Sequence, residues 1–107
     1  MGYYTGYSLD LRGNVENHDE IIADLRNSNE NADWAIDENG EQQESCKWYE
    51  HEVELKAFSK KYPEVIFCLH GTGEEPGDVW DKYFLNGKWQ YCKAKIVIPP
   101  FDPTKLQ

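Results

Sequence analysis

The stretch KWYEHEVELKAFSKKYPEVIFCLHGTGEEPGDVWDKYFLNGKW, residues 47–89, decides the fold that we predict for this chain. Leu55, Phe58 and Tyr62 recur at spacings of three and four residues, which places them on one face of a helix. A proline follows directly and ends that helix, because the residue before a proline is disfavoured in the α region. The apolar run Val65–Leu69 then predicts a strand that is buried on both faces and is therefore central in a sheet.

The second half of the same stretch predicts a β-hairpin. Val79–Leu85 reads as a strand, and Asn86-Gly87 provides residues that adopt positive φ in a tight turn. Residues 88–98 would form the partner strand. The prolines of the last nine residues end regular structure, so we expect residues 99–107 to form an extended tail.

The residues near the N-terminus predict one strand and one helix. Residues 3–12 read as a half-buried strand, because apolar and polar side chains alternate from Tyr7 to Leu11. A helix is expected from His18 to about Arg26, with Asn17 as its N-cap. Residues 27–31 are polar and predict a loop.

Residues 32–49 predict two further strands joined by a turn. Ala32–Asp37 carries alternating apolar residues, and Asn39-Gly40 is a strong hairpin signal. The returning strand would place Cys46 and Trp48 on one side of the sheet.

The predicted order of elements is β-α-β-β-α-β. It indicates an α+β protein with a ferredoxin-like antiparallel sheet, two helices on one face and an extra C-terminal β-hairpin. We expect the helices to cover Tyr7, Leu9, Leu11, Phe67 and Leu69, and the opposite face of the sheet to remain open. The length of 107 residues fits a single domain, with residues 99–107 as its tail.

Charge is distributed unevenly along the chain. The formal net charge is −9, but residues 1–54 carry 14 acidic and 3 basic side chains, a net charge of −11. This half would repel nucleic acid and anionic membranes and would attract a basic partner. The alternative is that the acidic residues only maintain solubility.

Composition also limits the compartment and the chemistry. Three cysteines and no signal-peptide pattern predict free thiols and a cytoplasmic location, in the cytoplasm of a host cell if the chain is carried by a phage. No run of residues is apolar enough for a membrane span. No motif for a nucleophile, a metal or a nucleotide is present, so we predict no enzymatic activity, no catalytic residues, no metal and no cofactor.

Three motifs in the second half of the chain resemble small ferredoxin-like proteins of phages and plasmids, in particular the YubB-type ferredoxin-like domain. These motifs are Tyr62-Pro63 with Val65 and Phe67, Gly71 with Gly73-Glu74, and Tyr83-Phe84 with Gly87-Lys88. The resemblance implies a ferredoxin-like fold and a mobile-element setting. Some acidic phage proteins of this size are similar in that they inhibit bacterial defence, including CRISPR nucleases.

The function predicted from these patterns is non-enzymatic binding to a host protein. A basic, nucleic-acid-binding surface, such as that of a defence nuclease, would be blocked by charge and bulk, without direct contact with nucleic acid. The predicted partner-binding residues are Asp19, Glu20, Asp24, Glu50, Glu54, Glu74, Glu75 and Asp78.

Two alternatives use the open sheet face instead. One is a small-ligand site formed by Cys46, Trp48, Cys68 and His70. The other is a homo-oligomeric module, for example a homodimer that pairs through this face. The chain has four tryptophans, which are either anchors for a partner or part of the core; we expect at least two to be core residues.

Overall fold

The chain folds as an α+β protein in a computed structural model that describes residues 2–107. A four-stranded antiparallel sheet has the order β1-β2-β3-β4, and three α-helices accompany it within the described residues. The elements are β1 Gly6–Gly13, α1 His18–Ser28, α2 Glu30–Ala35, α3 His51–Ser59, β2 Val65–Thr72, β3 Val79–Leu85 and β4 Lys88–Lys93. A short 3-10 turn, Pro103–Lys105, lies in the tail.

The order of strands and helices differs from the predicted ferredoxin-like arrangement. All three helices lie between β1 and β2, and the last three strands follow one another as a meander. The central position of β2 is confirmed, because β2 pairs with β1 on one side and with β3 on the other.

The predicted strand at residues 32–37 is wrong, and so is the loop at residues 27–31. α1 continues to Ser28, and α2 then begins after Asn29, whose side chain accepts a hydrogen bond of 3.1 Å from the Ala32 N–H. Ala32 and Ala35 are buried at helical spacing, whereas Trp34 is 60% exposed. The N-cap thus favours a helix over the alternation that we read as a strand. At α1, in contrast, the Asn17 side chain makes no capping bond.

The predicted strand around residues 46–49 is reduced to one bridge between Thr5 and Cys46. Cys46 and Trp48 are nevertheless both buried, as their alternation predicted. The turn at residues 39–40 exists, but only Gly40 has a positive φ, of +86°. Its carbonyl accepts a 2.7 Å hydrogen bond from the Leu9 N–H, so this turn lies against the outer edge of β1.

The predicted hairpin of β3 and β4 is confirmed. Asn86 and Gly87 have φ angles of 46° and 82°, as a tight two-residue hairpin turn requires. β4 ends at Lys93, five residues before the end of the predicted strand.

The helices cover one face of the sheet, as expected. The buried residues on this face include the five that we predicted from the alternation: Tyr7, Leu9, Leu11, Phe67 and Leu69. α3 packs on β2 and β3, and α2 contacts both α1 and β1. The opposite face carries mostly polar side chains. None of the helices in residues 2–107 combines the length and the apolar character needed to cross a membrane.

A first prediction concerns the contact between Gly40 and β1. A Cβ atom at residue 40 would lie 2.4 Å from the backbone oxygen of Leu9 and would also require a left-handed backbone. We expect Gly40→Ala to reduce the free energy of unfolding by about 2–4 kcal/mol, as measured by urea denaturation.

Gly77→Ala is the matched control for this prediction. Gly77 has a similar φ of +83°, but its added Cβ would meet only the flexible tip of Ile96. We expect a loss of about 1 kcal/mol there. Equal losses for the two variants would show that the β1 contact contributes nothing.

Candidate functional site

The first half of the chain presents a group of carboxylates around the start of α1. Asp19 and Glu38 line one shallow depression, and Glu16, Glu20 and Glu64 line another. All five side chains are exposed. We call this group the α1 acidic surface: Glu16, Asp19, Glu20, Glu38 and Glu64. Carboxylates are favourable at this position because the N-terminal end of a helix carries partial positive charge.

The lysine and the arginine that line these depressions are already paired with other acids, and Asp19 itself lies 3.2 Å from His18 Nδ1. Arg26 contacts Asp33 at 3.1 Å, and Lys61 contacts Asp24 at 2.7 Å. Arg26 and Lys61 are therefore not available as counter-charges for the five carboxylates of the α1 acidic surface. The surface is therefore net negative.

Two of the predicted partner-binding residues instead make hydrogen bonds within the fold. Asp24 accepts 2.7 Å hydrogen bonds from Lys61 and from the Tyr62 hydroxyl. These bonds lower the pKa of Asp24, and the same carboxylate raises the pKa of Tyr62 to about 12. Glu54 accepts hydrogen bonds from the Trp48 indole at 2.6 Å and from Asn29 at 2.9 Å. Asp24 and Glu54 thus hold helices in place.

The second acidic group, in the loop 73–78, holds the N-terminal residues. Glu74 accepts a hydrogen bond from the Tyr4 N–H, and Asp78 accepts one of 2.5 Å from the Tyr3 hydroxyl. The bond to Asp78 raises the pKa of Tyr3. Glu75 is exposed, and its N–H donates to the same hydroxyl.

The two acidic groups are separate surfaces. Glu64 precedes β2 and the loop 73–78 follows it, so the eight residues of the strand lie between them. A strand rises about 3.3 Å per residue, which separates its two ends by about 26 Å. Glu50, the remaining predicted residue, is exposed at the start of α3.

The structure divides the residues of the predicted ligand site between two sides of the sheet. Trp48 is fully buried and packs edge-on against Tyr7 at 5.4 Å, on the helix-covered side, and Cys46 belongs to the same core. Cys68 and His70 lie on the open face. These four residues do not form one site.

The open face carries a line of three hydrogen-bonding side chains. His70 Nδ1 contacts Asp81 at 2.7 Å, and the Thr72 hydroxyl lies 3.4 Å from His70 Nε2. This order resembles a hydroxyl–imidazole–carboxylate triad. However, β2 and β3 are paired in the sheet, so their backbone N–H groups are not available to stabilise an oxyanion. The histidine and aspartate side chains are also 46% and 40% exposed, so water competes for them.

A buried cluster under α3 was missed by our reading of the sequence. Lys82 is only 7% exposed, on the helix-covered face between Trp80 and Phe84. Its Nζ donates to Glu52 and to His51 Nε2, both at 2.8 Å, and lies 4.2 Å from the centre of the Trp80 ring. The alternation of β3 was the available signal, because it places residue 82 on the same side as its two buried aromatic neighbours.

The position of His51 determines its protonation. Nδ1 donates a 2.7 Å hydrogen bond to the Trp48 carbonyl, so Nε2 is the acceptor for Lys82. The ring also stacks on Trp80 at 5.2 Å. Burial lowers the pKa of His51, and the adjacent lysine charge acts in the same direction. The imidazole is therefore held in its neutral form.

Among residues 2–107, no three side chains of His, Cys, Asp or Glu are grouped in the way that a bound metal ion requires. Burial raises the pKa values of Cys46 and Cys68, which makes both thiols less reactive.

Comparisons of the chain with protein-family models, with curated proteins and with solved structures give no match. The resemblance to YubB-type ferredoxin-like proteins thus stays a prediction from its motifs.

A second prediction follows from the buried His51. Because folding lowers its pKa below the ordinary value of 6.5, the unfolded chain binds a proton first as the pH falls. The stabilisation is complete above pH 6.5 and decreases as the pH falls below it, towards the lowered pKa. We expect the urea concentration at the midpoint of unfolding to decrease as the pH is lowered from about 7.5 to 5.

A variant without this imidazole separates the effect from the titration of other groups. His51→Gln should flatten the pH dependence in this range, whatever its effect on overall stability. A slope that is the same in wild type and in His51→Gln would contradict the assignment.

Proposed function

We propose that this protein is a non-enzymatic binding protein whose α1 acidic surface occupies a basic surface of another protein. The observation that supports this function is the group of five exposed carboxylates in two depressions around α1, where the lysine and arginine side chains are already paired. Like charges held close together on a folded surface raise its electrostatic energy, and a cationic partner relieves that repulsion.

The class of partner follows from the same charges. Basic surfaces of this kind are typical of proteins that bind nucleic acid, because they neutralise phosphates. A protein that covers such a surface with carboxylates would exclude the nucleic acid by competition and would need no chemical step. We therefore propose inhibition of a nucleic-acid-binding protein, with a bacterial defence nuclease and a phage or mobile-element origin as the specific form of this proposal.

The second acidic loop is the weaker candidate for this contact. The carboxylates of Glu74 and Asp78 accept hydrogen bonds from the N-terminal residues. A partner would have to compete with those bonds, whereas Glu20 is exposed at the start of α1 and Asp19 contacts only the adjacent His18 ring there, at 3.2 Å, among the described residues. We therefore place the partner at the α1 acidic surface.

The third prediction tests this contact by capture and competition. The immobilised protein is exposed to bacterial lysate at low salt, and proteins released by a salt step are identified by mass spectrometry. We expect a nucleic-acid-binding protein whose association rate falls about tenfold or more as salt is raised. The purified protein should displace labelled DNA from it, as read by fluorescence anisotropy.

Two double variants, which each remove two negative charges, test which acidic group contacts the partner. Asp19→Asn with Glu20→Gln should weaken the competition strongly, whereas Glu74→Gln with Glu75→Gln should leave it nearly unchanged. Equal weakening by the two double variants would indicate a response to net charge alone and would contradict a defined surface. An empty eluate, or captured proteins that bind no nucleic acid, would reject the proposed function.

A further inference from the structure

The last fourteen residues form an apolar arm that extends from the sheet. Ala94 donates a hydrogen bond to Val79, and Ile96 lies against Gly77, but beyond that point the large apolar side chains are 69–85% exposed. These side chains are Val97, Ile98, Phe101 and Leu106. In the part of the chain that the structure describes, no hydrogen bond joins residues 95–107 to the rest of the fold. We call residues 94–107 the C-terminal arm.

The dimensions of the molecule reflect this arm. Its radius of gyration is 16.5 Å, whereas a compact chain of this length has a radius of about 13 Å. Exposed apolar side chains in such number are unusual on a monomer and mark a contact with another molecule.

The sheet has an uncovered apolar strip of its own. α3 packs on β2 and β3, and the aromatic side chains on the helix-facing side of β4 remain partly exposed. Trp89 and Tyr91 point to this side and remain 40% and 47% exposed. β4 is also an edge strand, and its outer edge has no partner strand among residues 2–107, so it can accept another strand. We call the strip between α3 and this edge the β4 groove.

Charge favours contact between two copies of this chain. The arm, residues 94–107, carries two lysines and one aspartate, a net charge of +1, whereas residues 1–93 carry nine basic and nineteen acidic residues, a net charge of −10. The arm is thus attracted to the acidic body of a second molecule.

The prolines of the arm direct it away from its own groove. Pro99 and Pro100 restrict the backbone to an extended conformation, which prevents a sharp reversal between Ile98 and Phe101. An extended arm is thus directed away from its own β4 and towards the equivalent strip of another molecule.

We propose that the C-terminal arm of one protomer packs into the β4 groove of a second copy, and that the second arm does the same in return. The reciprocal exchange has two-fold symmetry and covers both arms and both grooves at once. The arm and β4 together supply twenty residues from each copy, close to the roughly 20–30 residues per partner of a stable interface. This proposal is independent of the partner at the α1 acidic surface.

The fourth prediction is the oligomeric state of the full chain, measured by sedimentation equilibrium. We expect a mass of twice 12.5 kDa, with a dissociation constant of about 1 μM or tighter. Ile98→Ser with Phe101→Ser should raise that constant by at least about 100-fold, because two exposed anchors lose their apolar contacts. Trp34→Ser removes an exposed aromatic residue from α2 and should leave the dimer intact.

A mixing experiment tests the exchange itself. Tyr91→Asp places a carboxylate in the groove and should also give a monomer, with circular dichroism confirming that it is folded. Tyr91→Asp keeps its arm intact, and the arm double variant keeps its groove intact. A mixture of the two should therefore form a heterodimer, which neither protein forms alone.

Three results would overturn the proposal. The first is a full chain that stays monomeric at about 100 μM, which would mean that the arm packs on its own fold or on another protein. The second is a dimer that persists in the arm double variant, which would assign the contact to another surface such as the open sheet face. The third is a mixture that forms no heterodimer although both single proteins are folded monomers.

Discussion

The arrangement of helices and sheet depends on one lysine that is buried between them. The Lys82 ammonium lies in the layer between α3 and β3, where an unpaired charge would cost several kcal/mol. Its partners, His51 and Glu52, are the first two residues of α3. The start of this helix must therefore lie over the middle of β3, and the Trp80 ring closes the cluster by stacking on the histidine. Packing and charge pairing thus require the same position of α3.

This position of α3 also decides which apolar surface remains uncovered. The other end of the helix is held at the β3–β4 turn, where the Ser59 hydroxyl accepts a 2.8 Å hydrogen bond from the Gly87 N–H. With its ends held by β3 and by the β3–β4 turn, α3 leaves Trp89 and Tyr91 on β4 half-exposed. The apolar C-terminal arm follows directly after this strand. The uncovered strip is thus a consequence of the helix position, and the exposed arm adjoins it in the chain.

The carboxylates serve two different purposes that their positions in the sequence do not distinguish. Asp24 and Glu54 accept hydrogen bonds from side chains of other elements and stabilise the helical layer. Asp19 and Glu20, only a few residues before Asp24, are exposed at a helix N-terminus that favours negative charge. The net charge of −9 therefore does not show how many carboxylates are available to a partner. Nor does it show that the available ones lie around the start of α1.

The sequence alone determined what depends on neighbouring residues. The alternation of β1, the apolar run of β2 and the Asn86-Gly87 turn each produced the predicted element, because burial on one face and positive φ are local requirements. Only the tertiary structure decided which carboxylates remain available and which groups pair with the buried Lys82. Both outcomes depend on groups far apart in the chain, such as Glu54 with Asn29, or Lys82 with His51. Local periodicity carries no information about which distant hydrogen-bonding groups meet.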